Sequence, residues 1–148
     1  MITKLKSVGS RIEDLIDVYI LYIRSLTEYC SVSFHSSLTV EQSYRLERIQ
    51  KTCLKVILGD MYVDYPAALE MTGLDRLSDR REKRCLNFSL KAIKHERNFK
   101  LFPLNKNAGI LNTRQSEKFS VNFAATSAYR NSTIPYCQRL LNQHFKNN

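Results

Sequence analysis

Apolar side chains recur in steps of three and four through residues 11–30, "RIEDLIDVYILYIRSLTEYC", at Ile12, Leu15, Ile16, Tyr19, Ile20, Ile23, Leu26 and Cys30. That spacing predicts a helix with a wide buried face. Ser10 stands where an N-cap belongs, and Glu13 and Asp14 fall in the first turn, where the helix dipole favours acids. A second periodic stretch, residues 38–59, reads "LTVEQSYRLERIQKTCLKVILG". Thr39 and Gln42 have capping-box spacing, each side chain able to satisfy a backbone N–H of the other. Leu46, Ile49, Cys53, Val56 and Ile57 form its buried stripe, and Gly59 is a natural stop. With only about eight residues between them, the two helices are expected to pack as an antiparallel pair.

Residues 62–73, "YVDYPAALEMTG", predict a short helix with Pro66 in its first turn and Gly73 at its end. A further helix is expected from Asp75 to Glu96. On a helical wheel, Leu77, Cys85, Leu86, Phe88, Ala92 and Ile93 share one broad side. Arg76, Arg80, Lys83, Arg84, Lys91 and Lys94, with Asn87 among them, fall together on another, and Glu82 and Glu96 lie away from them. Only Lys83 has an acid, Asp79, at the (i, i+4) position. Beyond His95 the period weakens. Residues 97–118 read as a loop with Phe99, Leu101, Phe102 and Leu104 tucked against the helices, and residues 117–130 have no clear repeat. Thr133 and Pro135 then begin a short helix bearing Cys137, Leu140, Leu141 and Phe145. The expected fold is all-α: a small helical bundle built on the antiparallel pair, comprising residues 1–97, with a loosely structured, loop-rich tail, residues 98–148.

Composition narrows the function classes. At 148 residues and 43% hydrophobic, the chain can bury a core, and four glycines and three prolines disfavour a turn-rich β architecture. No apolar run reaches the length of a membrane span, and the N-terminus has no secretory leader pattern, so an intracellular setting, nucleus or cytoplasm, is expected. The net charge of +9 is uneven. Residues 1–58 carry eight bases and six acids, and residues 59–75 four acids alone. Residues 76–118 carry twelve bases against four acids, and residues 119–148 three bases alone. A positive field concentrated in the second half favours a polyanionic partner. Because the basic row lacks interspersed acids, it suits the phosphate backbone of nucleic acid, and Arg76, Arg80, Lys83, Arg84, Lys91 and Lys94 are the candidate contacts. A plain solvated face is the competing reading.

Cys30, Cys53, Cys85 and Cys137 are widely separated, as are His35, His95 and His144. A structural zinc site usually draws its ligands in close pairs, so no metal and no cofactor is expected. Cys30 and His35 lie five residues apart in "EYCSVSFHSS". A nucleophilic pair would need an orienting third group and an oxyanion donor, and neither is identifiable. The stretch is read as the corner between the first two helices. Cys30 would end the first buried stripe, with Tyr29 and Phe34 plugging the open end of the pair.

In order, the strings "IEDLIDVYILYIRSLTEYCSVSFHSSLTVEQSYRLERIQK", "LKVILG", "YPAALEMTGLDRLSDRREKRCLNFSLKAIKH", "LFPLN" and "IPYCQRLLN" resemble the C-terminal part, the thumb and the region downstream of it, of non-LTR (LINE-like, jockey-type) retrotransposon reverse transcriptases. The series spans nearly the whole chain. In that family the thumb helices cradle the template–primer duplex, so the resemblance implies nucleic-acid contact. Relatives usually carry tryptophan where Phe34 stands, and this chain has no tryptophan. Tyr62-Val63-Asp64-Tyr65 is a near miss to the family's Y-x-D-D box, with Tyr65 in place of the second metal-binding aspartate. The resemblance takes in none of the family's palm, fingers or endonuclease domains. The resemblance therefore implies a truncated, non-catalytic fragment of an RNA-directed DNA polymerase, with residual, non-specific nucleic-acid binding. Its partners would be nucleic acid, the missing palm or a second copy, with no membrane. A helical protein-interaction module, or a decayed product without activity, is the alternative.

Overall fold

The computed structural model describes residues 1–105, 118–121 and 123–146. Among them the architecture is all-α, and the sole β feature is an isolated antiparallel bridge between Leu104 and Phe119. The chain folds into two compact units: Met1–Ser31 with Leu38–Arg81, and Val32–Ser37 with Glu82–Asn148. The expected division near residue 97 falls inside the second unit.

The first unit begins with α1 (Ile2–Ser7) and α2 (Ile12–Val18). The α2 N-cap is Arg11 rather than the expected Ser10, and its guanidinium donates to the Asp14 carboxylate at 3.2 and 3.3 Å. The helix then passes through a π-helical stretch, Tyr19–Arg24, and resumes as α3 (Ser25–Glu28). Leu15 and Tyr19 are buried, and Ile16, Ile20 and Ile23 pack around them as expected. An i→i+5 turn takes in one residue more than an i→i+4 turn, so positions beyond it face one residue later. Accumulated over the six residues of the stretch, the drift runs in the direction that leaves Leu26 77% exposed and Glu28 2% exposed, against the α-helical repeat. Cys30, with φ +50°, ends the run in the left-handed region and is itself exposed. Tyr29 is 75% exposed and plugs nothing. The corner "SVSFHSS" is helical throughout, as α4 (Ser31–Phe34) and a 3₁₀ turn, His35–Ser37.

α5 (Val40–Leu58) opens on the capping box: the Thr39 hydroxyl accepts from the Gln42 N–H at 3.2 Å, and the Gln42 side chain accepts from the Thr39 N–H at 2.9 Å. Its burial is two-sided. Ile57, with Cys53 and Val56, joins Ile2, Leu15 and Tyr19, whereas Leu54 and Leu58 pack on Ala68 and Leu69. Ile49, expected inside, is 40% exposed, and Gln50 takes the buried position beside it. Leu15 near the start of the first helix shares its cluster with Ile57 near the end of α5. At the other end, Glu28 is held by Arg80, whose neighbour Arg81 donates to Ser43 in the first turns of α5. The two helices therefore run antiparallel. Lys6 donates to the Val56 and Ile57 carbonyls at 2.7 and 3.1 Å, occupying acceptors at the α5 C-terminus and fastening α1 there. Gly59 closes α5 at φ +58°, where an added Cβ would meet the Lys6 ammonium at 2.5 Å.

α6 (Tyr65–Thr72) is capped by Asp64, whose carboxylate accepts from the Ala67 N–H at 2.8 Å, and it ends on left-handed Gly73. Tyr62-Val63-Asp64-Tyr65 is thus a helix start: Asp64 is its cap, and Tyr65 points its hydroxyl at Glu47. α7 (Leu77–Ala92) is shorter than the expected 75–96; its first residues belong to the first unit and the rest to the second.

In the second unit α10 (Thr133–Lys146) is the organising element. Cys137 and Leu141 pack with Ala92, Phe102 and Phe119, and Leu90, Ile93 and Ile134 lie against them. α8 (Glu96–Phe99) and α9 (Ser127–Arg130) are single turns, the latter capped by Thr126. Two α10 side chains bond the backbone of irregular segments. Gln138 donates to the Leu101 carbonyl at 2.8 Å, and Asn142 both accepts from Phe119 N–H and donates to its carbonyl, each at 2.9 Å. Buried backbone groups need such partners wherever no helix supplies them. Phe102 is buried as expected, whereas Leu101 and Leu104 are exposed. The Phe99 side chain and the remainder of the expected loop, residues 106–117, lie outside the described residues.

Candidate nucleic-acid interface

The basic row divides between the units. In the first, Arg76 is exposed and its carbonyl receives the Arg80 N–H at the start of α7. Arg80 faces the protein: its guanidinium grips the Glu28 carboxylate at 2.6 and 3.3 Å, with the two side chains 26% and 1% exposed. That hydrogen bond, together with the charge of Glu28, raises the guanidinium's pKa against the opposing effect of burial. A carboxylate taken out of water must keep its cation, so Arg80 holds the fold together. It is not an open phosphate contact.

Arg81, absent from the expected row, is completely buried and donates to the Ser43 hydroxyl at 3.1 Å. The sequence signal for it was available: Leu77, Arg81, Cys85, Ser89 and Ala92 stand at steps of four, four, four and three, and all five are buried.

Within the second unit, Lys83, Arg84, Lys91 and Lys94 are all exposed, and so is Asn87 between them. Arg84, Asn87 and Lys91 follow steps of three and four, so α7 presents them along one line. Lys83 lies beside that line, and from Lys83 to Lys91 the row rises about 12 Å at ~1.5 Å per residue. Lys94 sits in the turn just past the helix, its N–H bonded to the Lys91 carbonyl. Opposite, Cys85, Ser89 and Ala92 face inward, and the Ser89 hydroxyl donates to the Cys85 carbonyl at 2.7 Å. This amphipathic split fixes the helix rotation, so the bases stay in water. Phe88, expected on the apolar side, is 40% exposed and stands four residues from Arg84 and three from Lys91.

The remaining candidate chemistry resolves into structure. His35 belongs to the second unit and contacts Tyr136, Nε2 to hydroxyl 3.1 Å, with the rings edge to face. Cys30 belongs to the first unit. Burial pushes the Cys53 and Cys137 thiols up, which keeps them neutral. Among the described residues, no three His, Cys, Asp or Glu side chains are grouped so as to hold a metal ion. Likewise, no helix there is long and apolar enough to cross a membrane.

No protein-family model, curated protein or solved structure matches the chain.

Proposed function

We propose that this chain is a non-catalytic fragment of a retrotransposon RNA-directed DNA polymerase that retains weak, non-specific nucleic-acid binding through the outer face of α7. The observation that supports the binding most directly is the exposed row Lys83, Arg84 and Lys91 on α7, continued by Lys94 in the turn just past it, on a helix whose opposite side is anchored in a core. The ordered series of strings resembling the reverse transcriptase thumb supports the origin. Such a row offers phosphate contacts, which position a duplex without reading its bases. Affinity then derives from counterion release and falls steeply with salt, with a non-specific dissociation constant of roughly 10⁻⁴–10⁻⁶ M.

The test is charge reversal of Lys83, Arg84 and Lys91 to glutamate, which leaves both the Glu28–Arg80 pair and the buried face of α7 untouched. Helical circular dichroism should be unchanged, and binding to a mixed-sequence duplex at low salt should fall at least tenfold. Equal binding by parent and variant would show that the row is a solvated face. A helical protein-interaction module is the second reading, favoured by an exposed apolar surface on the first unit.

A further inference from the structure

Between Val18 and Tyr29 the first helix is apolar on both sides. Leu15 and Tyr19 fill its inner face, yet Leu21, Tyr22, Leu26 and Tyr29 are 66%, 60%, 77% and 75% exposed. A helix that is hydrophobic all round is normally buried all round. The wide turn of the π-helical stretch keeps Tyr22 and Leu26, four apart, and Leu21 and Ser25, whose hydroxyl donates to the Leu21 carbonyl at 2.6 Å, on the same outer side. Tyr29 continues that side at the helix end. The two charged residues of the segment do not interrupt it, since Glu28 is buried and Arg24 is half-buried.

We infer that this face is the contact between two copies of the chain, related by a two-fold axis that lays the first helix of one copy antiparallel across that of the other. Area supports the occupant. At about 150–250 Å² for a whole aromatic side chain, Tyr22 and Tyr29 leave roughly 200–340 Å² open. Leu21 and Leu26 add a comparable amount, so two copies remove roughly 800–1,300 Å², around the ~1,000 Å² at which a specific interface begins. Charge supports it as well. A chain of net charge +9 associates with itself only where like charges are kept apart, and this outer row is uncharged. A two-fold contact is also self-complementary, apolar against apolar, with the tyrosine hydroxyls free to reach water at the rim. An interface at this lower end of the size range suits weak, reversible association, with contact quality rather than area setting its strength.

Dimerisation is independent of the nucleic-acid reading, and so is its test. Sedimentation equilibrium of the full chain, in reducing agent so that the exposed Cys30 forms no disulfide, should show a monomer–dimer equilibrium in the micromolar range. Leu26→Arg and Tyr22→Glu, both at exposed positions, should each raise the dimer dissociation constant at least tenfold with unchanged circular dichroism. Val40→Arg, an exposed apolar position on α5, should leave it unchanged. A parent monomeric throughout that range, or variants that dimerise like the parent, would overturn the inference. So would a monomeric parent that sediments with phosphatidylcholine vesicles, which would give the face to a lipid surface.

Discussion

The two units solve the same problem with different materials. The first unit ties its helices with buried polar groups. Tyr19 donates to Gln50 at 2.6 Å, and Gln50 donates to both Tyr65 and the Asp75 carbonyl at 3.0 Å. Glu47 accepts from Tyr65 and from the Leu77 and Ser78 N–H groups that open α7. Together with Glu28–Arg80 and Arg81–Ser43, these bonds join the first helix, α5, the start of α6 and the start of α7 through polar groups that satisfy one another. The second unit also has an apolar cluster, around α10, but its polar side chains Gln138 and Asn142 bond irregular backbone rather than other helices, and so hold the segments that bring Phe102 and Phe119 into it. Position in the helix repeat therefore says little about which charged residue is available to a partner. Arg80 and Lys91 were one row in sequence, yet the first is locked to Glu28 and the second faces water.

The sharpest way to break this comparison is Arg80→Ala. It leaves Glu28, 1% exposed at its side chain, without its guanidinium. Stability should fall by about 3–5 kcal/mol, as for other broken buried pairs, whereas Lys91→Ala should stay within ~0.5 kcal/mol. Urea unfolding monitored by circular dichroism measures both. Similar losses from the two variants would put Arg80 among the surface charges.

High pH probes both units through their tyrosines. Burial, first of all, raises the Tyr19 and Tyr65 phenols in the first unit and pushes Tyr136 up to about 12 in the second. A raised folded pKa contributes stability that is fully present below the unfolded value, about 10. That contribution is lost as pH rises from there through the folded values. Unfolding by alkali should therefore set in above pH ~10, and Tyr65→Phe, which cannot ionise, should move the onset upward. An unchanged onset would mean that Tyr65 does not report on the first unit's network.

The smallest effect should come from the α5 cap. Thr39→Ala removes the hydroxyl half of the capping box and should cost about 1 kcal/mol. A neutral substitution would show that neighbouring helices, not the cap, fix the α5 start.

Much of the first unit was legible because its signals are local. The capping box at Thr39 and Gln42, the Gly59 and Gly73 stops and the antiparallel pair can be read from spacing alone. What the repeat could not show was the π-helical stretch, because its wider turns leave no compositional trace and make the inward positions drift later along the chain, from Leu26 towards Glu28. Gln50 was hidden by chemistry, since periodicity places a polar residue outside unless a partner such as Tyr19 is known, whereas Arg81 stands on the buried repeat of α7 and only its bond to Ser43 shows how a guanidinium is accommodated there. In the second unit α10 was visible from Cys137, Leu140 and Leu141. The contribution of Phe119 was not, because its burial depends on a bond to Asn142, 23 residues away. The candidate interface was legible as a row of bases, and only the contacts of Arg80 separated fold from surface within it.

The central claim, that the outer face of α7 meets phosphates, is tested most directly by the salt dependence of duplex binding for the parent and Lys91→Ala. Each phosphate contact contributes about 0.9 to the slope of log K against log salt, so Lys91→Ala should flatten the slope by roughly that amount while leaving helix content unchanged. An identical slope in the two proteins would contradict the account.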